Sequence, residues 1–224
     1  MQRIRKFLEQ NSPVKWLFDG DSITHGAVNT RGGRDYTEHF AERVRFELGK
    51  RTRDVVLKSA ISGNTTRQLL EDFDWRAGQF RPDVAFIMIG MNDCSTTRNV
   101  PIEEFEANLN TLCERFAAIG SLAVLQTTCP IIPGTTPDRE PYFPAFMDVI
   151  RRVACERQLP LVDHLAYWEQ HLPFHVEWMA NAFHPNAAGH IAFAAHLFDT
   201  IGIGDPASQT CRHAWWHDWS KAAS

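Results

Sequence analysis

Three apolar runs in this chain each lead into a turn that combines a glycine with polar residues. Buried parallel strands end in this way, because glycine lets the chain turn sharply away from the edge of the sheet. The ligands of open α/β sheets bind beyond these carboxyl ends, so the polar residues there are candidates for chemistry. The three turns contain Gly20-Asp21-Ser22, Gly63-Asn64 and Gly90-Met91-Asn92-Asp93.

Segments with helical periodicity alternate with the apolar runs. Tyr36, Phe40, Val44 and Leu48 are four residues apart, which predicts one buried helix face over residues 36–48. Strands that alternate with helices indicate a parallel sheet covered on both faces. About five strands favour an α/β fold with a flavodoxin-like, doubly wound sheet over a closed barrel. The predicted strands are 14–19, 54–60, 84–89, 122–125 and 159–163, and further helices are expected over 101–119, 145–158 and from 185.

The length of 224 residues suits one domain, which we expect to span residues 1–224. Residues 205–224 form an aromatic C-terminal tail within it. Three of the seven tryptophans lie between positions 213 and 219. Such a cluster is expected to pack on the body of the protein or at a subunit contact.

Composition narrows the classes of partner. A net charge of −4 gives no reason to expect nucleic acid. We see no signal peptide and no run near the roughly 18 apolar residues of a membrane span, so no membrane partner is expected. Five cysteines without a Cys-x-x-Cys pair favour a reducing cytoplasm. We therefore expect a small-molecule substrate, and the sequence is also compatible with a homo-oligomer.

The polar residues of the strand ends can converge on one reaction. Ser22 is a candidate nucleophile, and His184 is a candidate general base because Pro185 is expected to open the last helix beside the same edge. The backbone N–H groups of Ser22 and Gly63 and the side-chain amide of Asn92 can stabilise an oxyanion. The alternative is a set of turns whose polar side chains only bond to the backbone.

These motifs resemble the four ordered blocks of the SGNH (GDSL-type) hydrolases, with His184-Pro185-Asn186 as the fourth block. The resemblance runs from residue 20 to about 190. It implies a three-layer α/β/α fold and ester or thioester hydrolysis through an acyl-serine, without a cofactor. It also implies an oxyanion hole built from Ser22, Gly63 and Asn92. We further expect Asp21, His25 and Asn64 to contact the substrate.

One position departs from the family pattern. The third member of the triad is expected to be an aspartate three residues before the histidine, and here that residue is Asn181. Three explanations are open: a Ser-His pair with weaker support from Asn181, another carboxylate such as Asp163 or Glu177, or a deliberate Asp→Asn change. An asparagine oxygen can accept the imidazole N–H but brings no negative charge.

The sequence therefore predicts a serine esterase for small or short-chain acyl esters, including acetylated sugars. One alternative is a pseudoenzyme that binds acylated ligands without efficient turnover, and another is a thioesterase or acyltransferase of the same fold. No metal is expected, since the pair His171 and His175 is interrupted by Pro173 and lacks the glutamate of a His-Glu-x-x-His site. The proline-rich segment 129–144 could form a wall of the site or an exposed loop.

Overall fold

The computed structural model describes residues 1–49, 51–171 and 174–215. Its sheet has five parallel strands in the order β2-β1-β3-β4-β5. This is the order of a flavodoxin-like doubly wound sheet, so the predicted fold class is confirmed. The strands are β1 (Lys15–Gly20), β2 (Val55–Lys58), β3 (Val84–Met88), β4 (Leu122–Gln126) and β5 (Leu161–Val162).

Helices flank the sheet in two groups. The third helix packs against the ninth, and the sixth packs against both the fourth and the seventh. No helix among the described residues is long and apolar enough to cross a membrane. The α-helices are α1 (Gln2–Glu9), α2 (Ser22–His25), α3 (Tyr36–Glu42), α4 (Thr66–Glu71), α5 (Phe73–Arg76), α6 (Ile102–Ala118), α7 (Phe143–Glu156), α8 (His164–Glu169), α9 (Ala187–Ile201) and α10 (Gln209–Trp215).

The last long helix begins later than the sequence suggests. Pro185 forms an antiparallel bridge with Met179 instead of opening α9. Asn186 caps the helix, because its side chain accepts a hydrogen bond from the Gly189 N–H. The expected opening of this helix at Pro185, which would have put His184 at its N-cap, is therefore wrong. The tryptophan side chains of the C-terminal tail lie outside the described residues.

Aromatic packing fixes the alignment of the two strands that carry chemistry. Phe18 of β1 and Phe86 of β3 are paired in register and stack with ring centroids 4.6 Å apart. The same register places Gly20 beside Met88. A Cβ on Gly20 would lie 2.1 Å from the Met88 carbonyl oxygen, so only glycine allows this close approach. The first and third polar turns consequently leave the sheet side by side.

Candidate active site

Ser22 and His184 are in direct contact although 162 positions separate them. Ser22 is the first residue of α2, and Asp21 is its N-cap. The Ser22 Oγ lies 2.7 Å from His184 Nε2, within hydrogen-bonding distance. Such a contact between a hydroxyl and an imidazole is the arrangement that nucleophilic catalysis requires.

Asn181 occupies the third position of this arrangement. Its Oδ1 lies 3.0 Å from His184 Nδ1 and also accepts backbone N–H bonds from Phe183 at 3.2 Å and His184 at 3.0 Å. Because two backbone donors point at this atom, it must be the amide oxygen. His184 Nδ1 then carries the ring proton, and the unprotonated Nε2 can accept the proton of Ser22. Asn181 thus selects the His184 tautomer that can act as a general base, but it supplies no negative charge.

The two carboxylates considered for this position are not the partners of His184 Nδ1. Asp163 caps α8 and binds Arg151 and Thr127, each with a shortest contact of 2.8 Å. Glu177 lies in the 3₁₀ turn at residues 174–178, and its backbone carbonyl accepts a bond from Asn186. Of the supports considered for the imidazole, the structure therefore places Asn181 there.

Two of the predicted oxyanion donors lie at neighbouring turns. The amide of Asn92 is buried and donates one N–H to the Asn64 carbonyl at 2.9 Å, which leaves its second N–H available. Gly63 has a φ of +83°, which favours glycine, and a Cβ there would lie 3.3 Å from Arg98 Nη2. The bond between Asn92 and Asn64 joins the second polar turn to the third.

The residues expected to contact substrate have contacts within the protein. Asp21 is 1% exposed, and its Oδ1 accepts the Ile23 N–H. Burial is the main reason why the pKa of Asp21 is raised to about 7; the bond from the Ile23 N–H opposes this rise and the negative charge of Asp93 adds to it. His25 Nδ1 lies 3.0 Å from Ser62 Oγ, which connects the first and second turns. Contacts of Asp21, His25 and Asn64 with substrate stay predictions.

Sequence reasoning missed Arg76, which has no exposed side-chain surface. Its guanidinium donates to Asp19 Oδ1 at 2.7 Å, to the Ser59 carbonyl at 2.9 Å and to Asn64 Oδ1 at 2.5 Å. It therefore ties the end of β1 to the second polar turn. The available signal was Asp19, because a carboxylate inside a buried apolar strand requires a partner.

Segment 129–144 contacts both sides of the candidate site. Arg139 donates to the Met91 carbonyl at 3.2 Å and lies over the Phe183 ring, 4.3 Å from its centroid. The Ile132 N–H donates to the Ala182 carbonyl at 2.8 Å. The segment thus packs against the loop that holds His184. Burial lowers the pKa of His184, and the nearby Arg139 charge lowers it further.

The arrangement can perform acyl transfer with the groups that it already holds. It combines a hydroxyl, an imidazole of the correct tautomer and amide donors at adjacent strand ends. Among the described residues, no group of three histidines, cysteines or acidic residues is placed to hold a metal ion.

The chain is similar in sequence to known acyl hydrolases. Residues 18–192 match the family model of the GDSL-like lipase/acylhydrolase family. An acetylxylan esterase from Geobacillus stearothermophilus is 28% identical over 216 residues, covering 86% of this chain and 95% of the esterase.

Solved structures extend the likeness to the fold. A crystal structure of that esterase superposes with a TM-score of 0.70 at 26% identity, covering 85% of this chain and 95% of the other. An α/β hydrolase from the metagenome of Lake Arreo, Spain, superposes with a TM-score of 0.72 at 26% identity, covering 86% of this chain and 98% of the other. Three further solved structures are of catalytic mutants of that esterase, in which a serine, a histidine or an aspartate is replaced by alanine. The aspartate precedes the histidine by three positions there, as Asn181 precedes His184 here.

Proposed function

The chain belongs to the GDSL-like lipase/acylhydrolase family and is a carboxylic ester hydrolase, and we propose that it cleaves short-chain acyl esters, with acetylated sugars as the leading substrate class. The observation that carries the proposed mechanism is the 2.7 Å contact between Ser22 Oγ and His184 Nε2. Asn181 completes it on the far side of the ring.

In the proposed reaction, Ser22 Oγ attacks the ester carbonyl carbon while His184 Nε2 takes its proton. The amide of Asn92 and the N–H groups of Gly63 and Ser22 donate to the oxyanion. The carbon–oxygen bond to the alcohol breaks, and His184 returns the proton to that alcohol. His184 then takes a proton from a water molecule, which attacks the acyl-serine carbonyl. This second step releases the carboxylic acid and restores Ser22.

The named activity of a relative supports an acetylated sugar as substrate. The relative from Geobacillus is named as an acetylxylan esterase, and its similarity to this chain extends over 95% of its length.

The substrate class can be tested with matched esters. We expect p-nitrophenyl acetate to be cleaved with higher kcat/KM than the butyrate and octanoate, and acetate to be released from acetylated xylo-oligosaccharides. Preference for octanoate would contradict the short-chain proposal. Preference for acetyl-CoA or transfer to added alcohols would favour a thioesterase or acyltransferase instead.

The mechanism is tested separately by labelling with a fluorophosphonate. The parent protein should be labelled at Ser22 and should hydrolyse the acetate, whereas Ser22→Ala should fold normally and do neither. Hydrolysis by Ser22→Ala within a few-fold of the parent would remove Ser22 as nucleophile. Labelling without measurable hydrolysis of any ester would favour the pseudoenzyme.

A further inference from the structure

We propose that Asn29 is a positioning residue for the base, the outer member of a relay of two neutral amides that replaces the missing carboxylate. The inference rests on the proposed roles of Ser22 and His184. Asn181 Nδ2 lies 3.2 Å from Asn29 Oδ1, so the relay runs from Asn29 through Asn181 to the imidazole and the serine.

The direction of every hydrogen bond in this relay is determined. Backbone N–H groups at Phe183 and His184 fix the Asn181 oxygen on the side of the imidazole. The Asn181 amide nitrogen must then face Asn29. Because this nitrogen donates a hydrogen bond, the Asn29 atom that it meets must be an acceptor, the side-chain oxygen. Asn29 Nδ2 points back to the Ala27 carbonyl at 3.4 Å, which leaves its oxygen toward Asn181. Each group therefore donates toward Asn29 and away from Ser22.

The backbone beside Asn29 is strained in a way that favours this role. Val28 has a φ of +68° and is 88% exposed. A β-branched residue rarely adopts the left-handed region, and such outliers cluster at functional sites. The turn is closed by bonds from the Asn29 N–H to the Ala27 carbonyl and from the Arg31 N–H to the Val28 carbonyl. It presents Asn29 to a loop 152 positions away in the sequence.

The chemical effect of Asn29 is polarisation. An acceptor on the amide N–H draws electron density toward the amide oxygen, because hydrogen bonds in a chain strengthen one another. A more negative Asn181 oxygen stabilises the imidazolium that forms when Ser22 loses its proton. The nearby Arg139 cation opposes that charge, so the imidazole depends on support from the amide side.

The test is a series of substitutions at Asn29 in two backgrounds, the parent and Asn181→Asp, assayed with p-nitrophenyl acetate. In the parent, Asn29→Ala should lower kcat by about 2- to 10-fold with KM unchanged, the usual effect of one hydrogen bond. Asn29→Asp should raise kcat and move the acid limb of the pH profile upward, because its carboxylate accepts from the Asn181 amide. In the Asn181→Asp background the same Asn29→Asp change should lower kcat, since two carboxylates then face each other.

This reversal of sign distinguishes a relay from a structural role. Asn110→Asp on α6 is the matched control, because it adds the same charge on a helix that packs against α4 and α7 rather than beside the His184 loop, and it should not change kcat in either background. Melting temperatures identify variants that fail to fold, and Asn29→Asp preserves the side-chain shape. Equal effects of Asn29→Asp in both backgrounds, or no effect of any Asn29 variant, would overturn the relay. Activity that survives in Ser22→Ala would overturn the proposed function instead.

Discussion

The sharpest prediction concerns Asn181→Asp, which restores the carboxylate that the family pattern contains. The backbone N–H groups of Phe183 and His184 would still bond to the new side chain, because aspartate accepts at the same atom. Asn29 has to turn its amide so that it donates rather than accepts. The substitution therefore adds a negative charge next to the imidazole with little change of geometry.

The expected gain in kcat follows from the distance between Asn181 Oδ1 and His184 Nδ1 and from the solvent exposure of the two side chains. Two unit charges about 4 Å apart interact by about 1 kcal/mol in water and about 4 kcal/mol at a protein surface of effective dielectric about 20. The Nδ1 to Oδ1 distance is 3.0 Å, Asn181 is exposed and His184 is half-buried, so the true value lies between these limits. We expect kcat to rise by about 10- to 100-fold, or about 1.4 to 2.8 kcal/mol off the barrier.

The gain should be smaller than the effect known for a buried triad. In chymotrypsin-like proteases, replacing the aspartate by asparagine lowers kcat by about 10⁴ through the wrong tautomer. Here the backbone already orients the Asn181 oxygen toward Nδ1, so the tautomer is correct and only the charge is missing.

The assay is kcat and kcat/KM on p-nitrophenyl acetate from about pH 5 to 9 for parent and variant. His184 must be neutral to act as a base, and the parent pKa lies below its usual value because of burial and then Arg139. A carboxylate favours the charged imidazolium, so the acid limb of the variant should move to higher pH. No gain in kcat at any pH, together with an unmoved limb, would refute the proposed role of Asn181.

Three further substitutions test other parts of the site. Asn92→Ala should lower kcat by about 10²–10³ with little change in KM, the usual cost of one oxyanion donor, and a change confined to KM would contradict that assignment. Arg139→Gln should move the acid limb of kcat/KM to higher pH, because it removes a cation near the imidazolium; an unmoved limb would mean that burial alone sets the pKa of His184. Arg76→Met should lower the free energy of unfolding by about 3–5 kcal/mol in urea titrations, because it leaves the buried Asp19 carboxylate unpaired. Adding Asp19→Asn should recover part of that loss, and a purely additive double mutant would contradict the pairing.

Local sequence patterns predict most of the fold. Strands β3 and β4 are buried along their whole length and β1 is buried after Lys15, so their apolar runs are easy to recognise in the sequence. The short strand β5 is harder to recognise in the sequence, because Leu161–Val162 is only two residues long. The sequence misplaces the start of α9, because proline is common at the first helical position, whereas here Pro185 forms a bridge with Met179 and Asn186 caps the helix.

The candidate site was predictable only in part. Glycines and polar residues at strand ends identify Ser22 and Asn92, because parallel strands bring their carboxyl ends together. Whether Asn181 supports His184 depends on backbone N–H groups whose direction no residue pattern records. Contacts such as Arg76 with Asp19, 57 positions apart, arise only from packing.

The order of the elements along the chain has a consequence for the timing of activity. The five strands in the described part of the chain all lie before residue 163, and β1, β3 and β4 can pair as soon as that part has been synthesised. His184 comes later, on a loop joined to α9, which docks on α3. A chain whose strands have paired but whose α9 has not docked can therefore hold Ser22 in position and still lack esterase activity. Recovery of esterase activity during refolding should therefore report the docking of α9, and sheet formation measured by circular dichroism should precede it.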